Sequence, residues 1–139
     1  MTSVRPYVPA DYEAVSELYK ASGTFGGQFD DDRDSEKRLN QQSMKDAKSI
    51  LVAEENGMVI GTVSIFADLR FVWLMRFAVQ HPEATSILCD EACRILKERG
   101  HSQVLVYAPM DSSFKLRYES LGFKEGEQSY DVFWRTLDQ

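Results

Sequence analysis

The chain has 139 residues, a length that fits one domain, residues 1–139, with a buried core. Hydrophobic residues make up 43% of it and charged residues 27%, which is typical of a globular protein. The net charge of −6 argues against nucleic acid as a partner, because phosphate binding needs clustered lysine and arginine, and it suits cationic or neutral small partners.

The sequence predicts neither a targeting signal nor a metal site. The N-terminal stretch lacks the apolar region of a secretory signal, and no apolar run approaches the ~18 residues that a membrane-spanning helix needs. Cys89 and Cys93 stand four apart in one helical pattern and are predicted to be buried thiols. With His81 and His101 they make a poor zinc set, so no metal is expected. The resulting prediction is a reduced, cytoplasmic protein without a membrane partner.

The first third of the chain predicts a strand and two helices. Residues 4–7 form a short strand bounded by prolines. Apolar residues then recur at helical spacing over residues 9–22, which predicts an amphipathic helix. Residues 34–46 predict a second, mostly polar helix with Leu39 and Met44 facing inward.

An acidic cluster belongs to the loop before that second helix. Its members are Asp30, Asp31, Asp32 and Asp34. A solvated loop is the ordinary interpretation of such a cluster. The alternative is a loop on the acceptor side of an active site that attracts an amine.

The middle of the chain predicts three consecutive antiparallel strands. Residues 50–54 and 58–66 are rich in β-forming side chains and are joined through Asn56-Gly57, which is typical of a hairpin turn. Residues 71–80 follow as a strand that is apolar on both faces, as central strands usually are.

The last third predicts two helices and three strands. Pro82 opens a helix over residues 83–99. Residues 103–107 form a strand that is reached through this crossover helix and is therefore parallel to the preceding one. Residues 111–121 predict another helix, and residues 123–137 predict two more strands.

The order β-α-α-β-β-β-α-β-α-β-β, joined to the sequence KLRYESLGF at residues 115–123, resembles the Gcn5-related N-acetyltransferase (GNAT) family over the entire chain. The resemblance implies an α+β fold, an α/β/α sandwich with a mixed, mostly antiparallel sheet of six or seven strands and a central parallel pair. In that family a tyrosine-bearing helix runs into Leu-Gly-Phe. The tyrosine hydroxyl faces the thiolate leaving group of acetyl-CoA, and Tyr118 occupies this position.

The resemblance also implies how acetyl-CoA is held and what it acetylates. The backbone of Phe77, Ala78 and Val79 would pair with the pantetheine amides as an added strand does. Asp111 stands where family members often have an asparagine that contacts the pantetheine arm, and a carboxylate there can only accept hydrogen bonds. A primary amine of a small molecule or peptide would attack directly, while Tyr118 gives a proton to the departing sulfur.

The family's pyrophosphate loop corresponds to residues 80–85. Gln80 keeps the first position of the pattern, and Ala84 and Thr85 lie where helix N–H groups would meet the phosphates. Glu83 and Thr85 replace two glycines, so their side chains obstruct a close approach, and Glu83 adds negative charge. In the alternative interpretation Glu83 only stabilises the helix dipole. The missing positive charge could come from Arg76, Lys115 or Arg117.

Three functions therefore stay open. The first is an acetyl-CoA-dependent N-acetyltransferase. The second is a catalytically silent module of the same fold that binds another ligand or a protein. The third is an enzyme of this fold that uses another acyl donor or acceptor. The strand predicted over residues 71–80 contains Arg76 and no acid, so no general base is evident. The apolar C-terminal strand makes a homodimer possible.

Overall fold

The computed structural model describes residues 1–22, 29–108 and 113–137. Its strands are β1 (Thr2–Pro6), β2 (Ile50–Glu55), β3 (Met58–Ala67) and β4 (Val72–Val79). Its α-helices are α1 (Tyr12–Ser22), α2 (Glu36–Lys45), α3 (Glu83–Glu98) and α4 (Ser113–Ser120), and a single 3-10 turn at Pro9–Asp11 precedes α1.

The four strands form one antiparallel sheet in the order β1-β2-β3-β4. The meander predicted over β2, β3 and β4 is confirmed. In the β2–β3 turn, Asn56 has φ 52° and Gly57 has φ 78°. Two successive left-handed residues are what a type I′ hairpin turn requires, and Asn and Gly adopt that conformation most readily.

Helices cover both faces of the sheet, as in an α/β/α sandwich. On β2, Leu51 and Ala53 belong to a core cluster shared with α3 and α4. Ile50 and Val52, which point to the opposite face, belong to a second cluster shared with α1 and α2. The α+β class predicted from the sequence is therefore confirmed.

The predicted fifth strand is reduced to a single parallel bridge, between Trp73 and Leu105. Leu74 N donates to Leu105 O, and Leu105 N donates to Val72 O, both at 2.9 Å. Helix α3 is therefore a crossover between parallel segments, as predicted. Residues 103–107 do not otherwise form a strand.

The two strands predicted for residues 123–137 are not present, so the described residues contain a four-stranded sheet and not one of six or seven strands. A strand exists only where a partner completes its hydrogen bonds. Residues 103–107 bond to β4 at one point only, so they offer no regular edge for further strands. The apolar side chains of the C-terminal segment are left exposed; these are Tyr130, Val132, Phe133, Trp134 and Leu137.

One inward residue of α2 was predicted wrongly. Ser35 caps the helix by accepting a hydrogen bond from Arg38 N, and Leu39 is buried as expected. Met44, however, is 86% exposed. Five positions separate it from Leu39, and in a helix of 3.6 residues per turn this places the two side chains ~140° apart.

Both cysteines of α3 are free thiols; Cys89 is buried and Cys93 is half-buried. The described residues hold no group of three or more His, Cys, Asp or Glu side chains placed to bind a metal ion. In the same part of the chain, no helix has both the length and the apolar character needed to cross a bilayer.

Helix α3 packs closely on the sheet at Gly61 of β3. A Cβ atom at this position would lie 3.0 Å from Val79 Cγ1, 3.2 Å from Leu88 Cδ1 and 3.4 Å from Ala84 Cβ. We expect Gly61→Ala to lower the free energy of unfolding by about 1–3 kcal/mol, because added core volume forces neighbours apart. Chemical denaturation measures this loss.

Gly126→Ala is the matched control, because a Cβ atom there meets nothing closer than Gln128 O at 3.8 Å. It should change the unfolding free energy by no more than about 0.5 kcal/mol. Equal stability of the two variants would contradict the close packing of α3.

Candidate active site

A bulge in β4 sets the geometry of the site. Between the pairs Ser64–Met75 and Thr62–Ala78, β4 contains one more residue than β3. Arg76 lies in this interval with φ 61°, the left-handed conformation that non-glycine residues rarely adopt. Such a bulge increases the local twist and redirects the strand that carries it.

Beyond the bulge, β4 has lost its parallel neighbour. In the described part of the chain, no backbone hydrogen bond joins residues 75–79 to residues 106–108. The last pairing point is the Trp73–Leu105 bridge, where the ring of Trp73 stacks on Tyr107 at 4.6 Å between centroids. The outer edge of β4 is therefore open to an extended ligand.

A cavity of about 260 Å³ lies at this end of β4, and we refer to it as the β4 cavity. The structure brings together on its wall four residues that the sequence predicted to bind the cofactor: Phe77, Ala78, Val79 and Gln80. Pro82, Phe114 and Arg117 form other parts of the wall. The strand, the start of α3 and helix α4 thus converge on one space.

Ala84 and Thr85 were also predicted to bind the cofactor, and the structure places them elsewhere. Their side chains are buried, at 1% and 2% exposure. Ala84 N donates to His81 O and Thr85 N donates to Pro82 O, both at 3.0 Å. Neither N–H group is left for a phosphate, because the first turn of α3 already uses them.

Asp111, predicted to contact the pantetheine arm, lies outside the described residues. The three candidate sources of positive charge differ in their contacts. Arg76 pairs with Asp34 and Lys115 pairs with Glu125. Arg117 lines the β4 cavity, with its guanidinium 5.0 Å from the centre of the Phe114 ring.

The Leu-Gly-Phe sequence places Tyr118 through the end of α4. Phe123 N donates to Tyr118 O, Gly122 N donates to Glu119 O, and Gly122 has φ 94°. This is the Schellman pattern of helix termination, which needs a left-handed residue. It folds Phe123 back onto the tyrosine, with the two ring centres 5.7 Å apart.

The phenol of Tyr118 is buried among aromatic rings. Its side chain is 8% exposed, and its ring lies 5.9 Å from that of Phe77. Burial raises the pKa of Tyr118 to about 12, so the hydroxyl keeps its proton at neutral and mildly alkaline pH.

Tyr118 lines a second cavity, of about 550 Å³, between α4 and the C-terminal segment, and not the β4 cavity itself. The two spaces are adjacent through Phe77. The ring of Phe77 contacts Tyr118, while Phe77 also lines the β4 cavity.

The acidic cluster was interpreted as a solvated loop, and for Asp34 the structure shows otherwise. Asp34 Oδ1 lies 2.9 Å from Arg76 Nη2, and the two side chains are 13% and 16% exposed. The guanidinium of Arg76 also lies 4.0 Å from the centre of the Tyr19 ring. Asp34 therefore ties the loop before α2 to the bulge in β4.

The other aspartates are nearer the solvent. Asp30 and Asp32 lie 3.4 Å from Arg33 and Arg38, respectively, and Asp31 is exposed. The Asp34–Arg76 pair was not predicted, although an arginine inside the apolar run FVWLMRFAV was a usable signal. A cation in such a strand needs a buried partner.

We expect Asp34→Ala to lower the free energy of unfolding by about 3–5 kcal/mol, because it leaves the buried guanidinium of Arg76 without its carboxylate. Urea denaturation measures the loss. Asp31→Ala removes an equal charge from the same loop at an exposed position, and it should cost no more than about 0.5 kcal/mol. Similar stabilities for both variants would show that the ion pair contributes little.

Neither a family model nor a curated protein matches the sequence. Solved structures do match the fold. The PaiA N-acetyltransferase of Thermoplasma acidophilum, in complex with coenzyme A, matches with a TM-score of 0.76 and 18% identity over 93% of each chain. AAC(6')-Iy, in complex with the bisubstrate analogue CoA-S-monomethyl-acetylneamine, matches with a TM-score of 0.73 and 16% identity over 98% of each chain.

Glucosamine-6-phosphate N-acetyltransferase from Arabidopsis thaliana also matches, with a TM-score of 0.72 and 16% identity over 97% of this chain and 99% of that one. These likenesses extend over nearly the whole chain. The chain therefore has the fold of the N-acetyltransferases, as the GNAT resemblance implied. At identities of 16–18% the comparison establishes the fold, and the chemistry has to be argued from the site.

Proposed function

We propose that the protein is an N-acetyltransferase that moves an acetyl group from acetyl-CoA to a primary amine of a small molecule or peptide. The observation that carries the proposal is the open edge of β4 beside a cavity lined by Phe77, Ala78, Val79 and Gln80. A protonated, buried phenol, that of Tyr118, lies behind the ring of Phe77, so in the proposed reaction the thioester sulfur must come to the edge of this ring to meet it.

The two ends of acetyl-CoA fit the chain differently. An extended pantetheine arm suits the open edge of β4, where backbone groups can pair with its amides. The pyrophosphate does not fit the start of α3. Pro82 has no N–H group, those of Ala84 and Thr85 are used within the chain, and Glu83 is exposed in the first turn.

Acetyl-CoA, as a substrate, supplies an acetyl group on a sulfur that leaves as a thiolate. Tyr118 holds a proton on its phenolic oxygen, and its raised pKa keeps that proton available for a thiolate. The rings of Phe77 and Phe114 form apolar parts of the wall of the β4 cavity. Residues 75–79 include no carboxylate, so the acceptor amine arrives neutral and loses its proton to water after attack.

A small amine is supported as the acceptor by the charge of the chain and by the matched structures. The net charge of −6 attracts cationic molecules. One matched enzyme is named for glucosamine-6-phosphate, and another was bound to an analogue that contains acetylneamine. A cytoplasmic location and a homodimer joined through the exposed C-terminal aromatic residues remain parts of the proposal, and sedimentation would test the dimer.

A catalytically silent binding module is the second candidate. The closed first turn of α3 favours it, because the usual phosphate contacts are not offered there. Release of free thiol from acetyl-CoA in the presence of a panel of amines separates the two candidates. Release that depends on both the amine and the protein supports the enzyme, and none with any amine supports the silent module.

Removal of the Tyr118 hydroxyl should slow turnover. We expect Tyr118→Phe to reduce kcat by roughly 10²-fold, the lower range for loss of a general acid, while the KM for the donor changes little. Steady-state kinetics measure both. The ring stacking on Phe77 and Phe123 is kept, so the fold should persist.

Tyr7→Phe is the control for loss of a phenol elsewhere. The Tyr7 hydroxyl donates to Asn40 Oδ1 at 2.8 Å in the cluster shared with α1 and α2. This variant should lose about 0.5–1.5 kcal/mol of stability and keep its kcat. Unchanged turnover in Tyr118→Phe would remove Tyr118 from the mechanism.

The pKa of Tyr118, raised to about 12 by burial, also bears on how kcat/KM changes with pH. The phenol acts as an acid only while protonated, so its contribution is lost only as the pH approaches that value. A lysine-like acceptor amine loses its proton near ~10.4, so kcat/KM should rise from pH ~7 to ~10 without a descending limb. A pH–rate profile in which kcat/KM already declines with rising pH before pH ~9 would assign the role of the acid to another group.

A further inference from the structure

The start of α3 offers few N–H groups to a phosphate. A phosphate site at a helix start needs free N–H groups, and Pro82 has none, while Ala84 N and Thr85 N donate to His81 O and Pro82 O. The first turn of α3 also packs against the sheet, because Ala84 is 1% exposed and faces Gly61 of β3. The exposed carboxylate of Glu83 adds repulsion at this end.

The end of the site near β4 has the opposite character. Residues 75–79 leave an open strand edge about 16 Å long, at ~3.3 Å per residue. The β4 cavity beside it measures about 260 Å³. That volume lies below the ~300–1,000 Å³ of pockets that enclose drug-sized ligands, and it suits a narrow linear arm.

From these two observations we propose that this protein recognises its acyl donor by the pantetheine thioester arm, and that the nucleotide of CoA adds little to binding. The substrate class is then S-acyl pantetheine thioesters, with CoA as one member. The two amides of the linear arm would pair with the edge of β4, and the thioester would lie near Phe77, on the side of Tyr118. The inference deepens the proposed acetyl transfer and rests on it.

Three donors test the inference: S-acetylpantetheine, S-acetyl-4'-phosphopantetheine and acetyl-CoA, which differ only in the group attached at the far end of the arm. Thiol release with one amine acceptor measures kcat/KM for each. We expect the three kcat/KM values to agree within about threefold. The donors share the same reacting thioester, so only binding energy contributed by the nucleotide could make the values differ. A preference for acetyl-CoA over S-acetyl-4'-phosphopantetheine of more than about threefold would overturn the inference.

The phosphorylated arm separates a single phosphate from the nucleotide. Arg117 is the cation on the wall of the β4 cavity, and it could reach one phosphate. If kcat/KM is higher for S-acetyl-4'-phosphopantetheine than for S-acetylpantetheine, and acetyl-CoA does not exceed it, the inference is supported. If kcat/KM rises only with acetyl-CoA, which contains the complete nucleotide, the inference is contradicted.

Calorimetric binding of pantetheine and CoA gives a readout that does not depend on turnover. Similar dissociation constants support the inference even if no amine is acetylated, in which case the proposed transfer activity fails and the recognition of the arm stands. Binding of CoA alone overturns the inference while leaving acetyl transfer possible. Absence of binding by both compounds overturns both proposals.

Glu83→Gln removes the repelling charge without adding a glycine. We expect CoA to bind about threefold to tenfold more tightly to this variant, because a like charge near the phosphates is lost, while pantetheine affinity stays the same. Asp90→Asn is the matched control, an exposed acid two turns further along α3. Equal CoA affinity in the two variants contradicts the proposed repulsion.

Discussion

After the Trp73–Leu105 bridge, strand β4 separates from its parallel neighbour, and the bulge at Arg76 redirects it. The open edge, the β4 cavity and the contact between Phe77 and Tyr118 all depend on that separation. Had the ladder continued to Val79, the backbone groups available to a ligand would have been used within the sheet. The stacked rings of Trp73 and Tyr107 mark where the two segments last lie together.

A buried ion pair holds the bulge from the side of the sheet covered by α1 and α2. Arg76 does not line the β4 cavity; it pairs with Asp34, and Tyr19 packs against its guanidinium. The carboxylate is engaged by this cation, so the pair orders the loop before α2 and does not supply a base. In the proposed reaction the amine enters neutral and the acid is the phenol of Tyr118, whose raised pKa has burial as its main cause.

The sequence predicted those features that a short stretch of chain determines by itself. The Asn56-Gly57 turn, the crossover helix after Pro82 and the glycine stop after Tyr118 are such features, and each is in the structure. Features that need a distant partner were not predictable in this way. Residues 123–137 have the pattern of strands but no edge to pair with.

The start of α3 illustrates the same limit. Matching residues 80–85 to the family's pyrophosphate loop predicted that Ala84 and Thr85 lie beside the phosphates. Such a match does not tell which carbonyl group accepts a hydrogen bond from each N–H group. Both side chains are buried, and Ala84 faces Gly61 of β3. The Asp34–Arg76 pair was missed for a related reason, because its two residues are distant in sequence and meet only in the folded chain.

Arg76 combines two properties that rarely occur together, a left-handed backbone and a buried charge. Glycine would relieve the backbone cost, of order 1–3 kcal/mol, but would leave Asp34 without its cation. An apolar residue at position 34 would in turn remove the carboxylate that pairs with the guanidinium of Arg76. A substitution at either position alone is therefore costly, so in evolution positions 34 and 76 should change together or stay unchanged. The effect of a substitution at one position should depend strongly on the residue at the other.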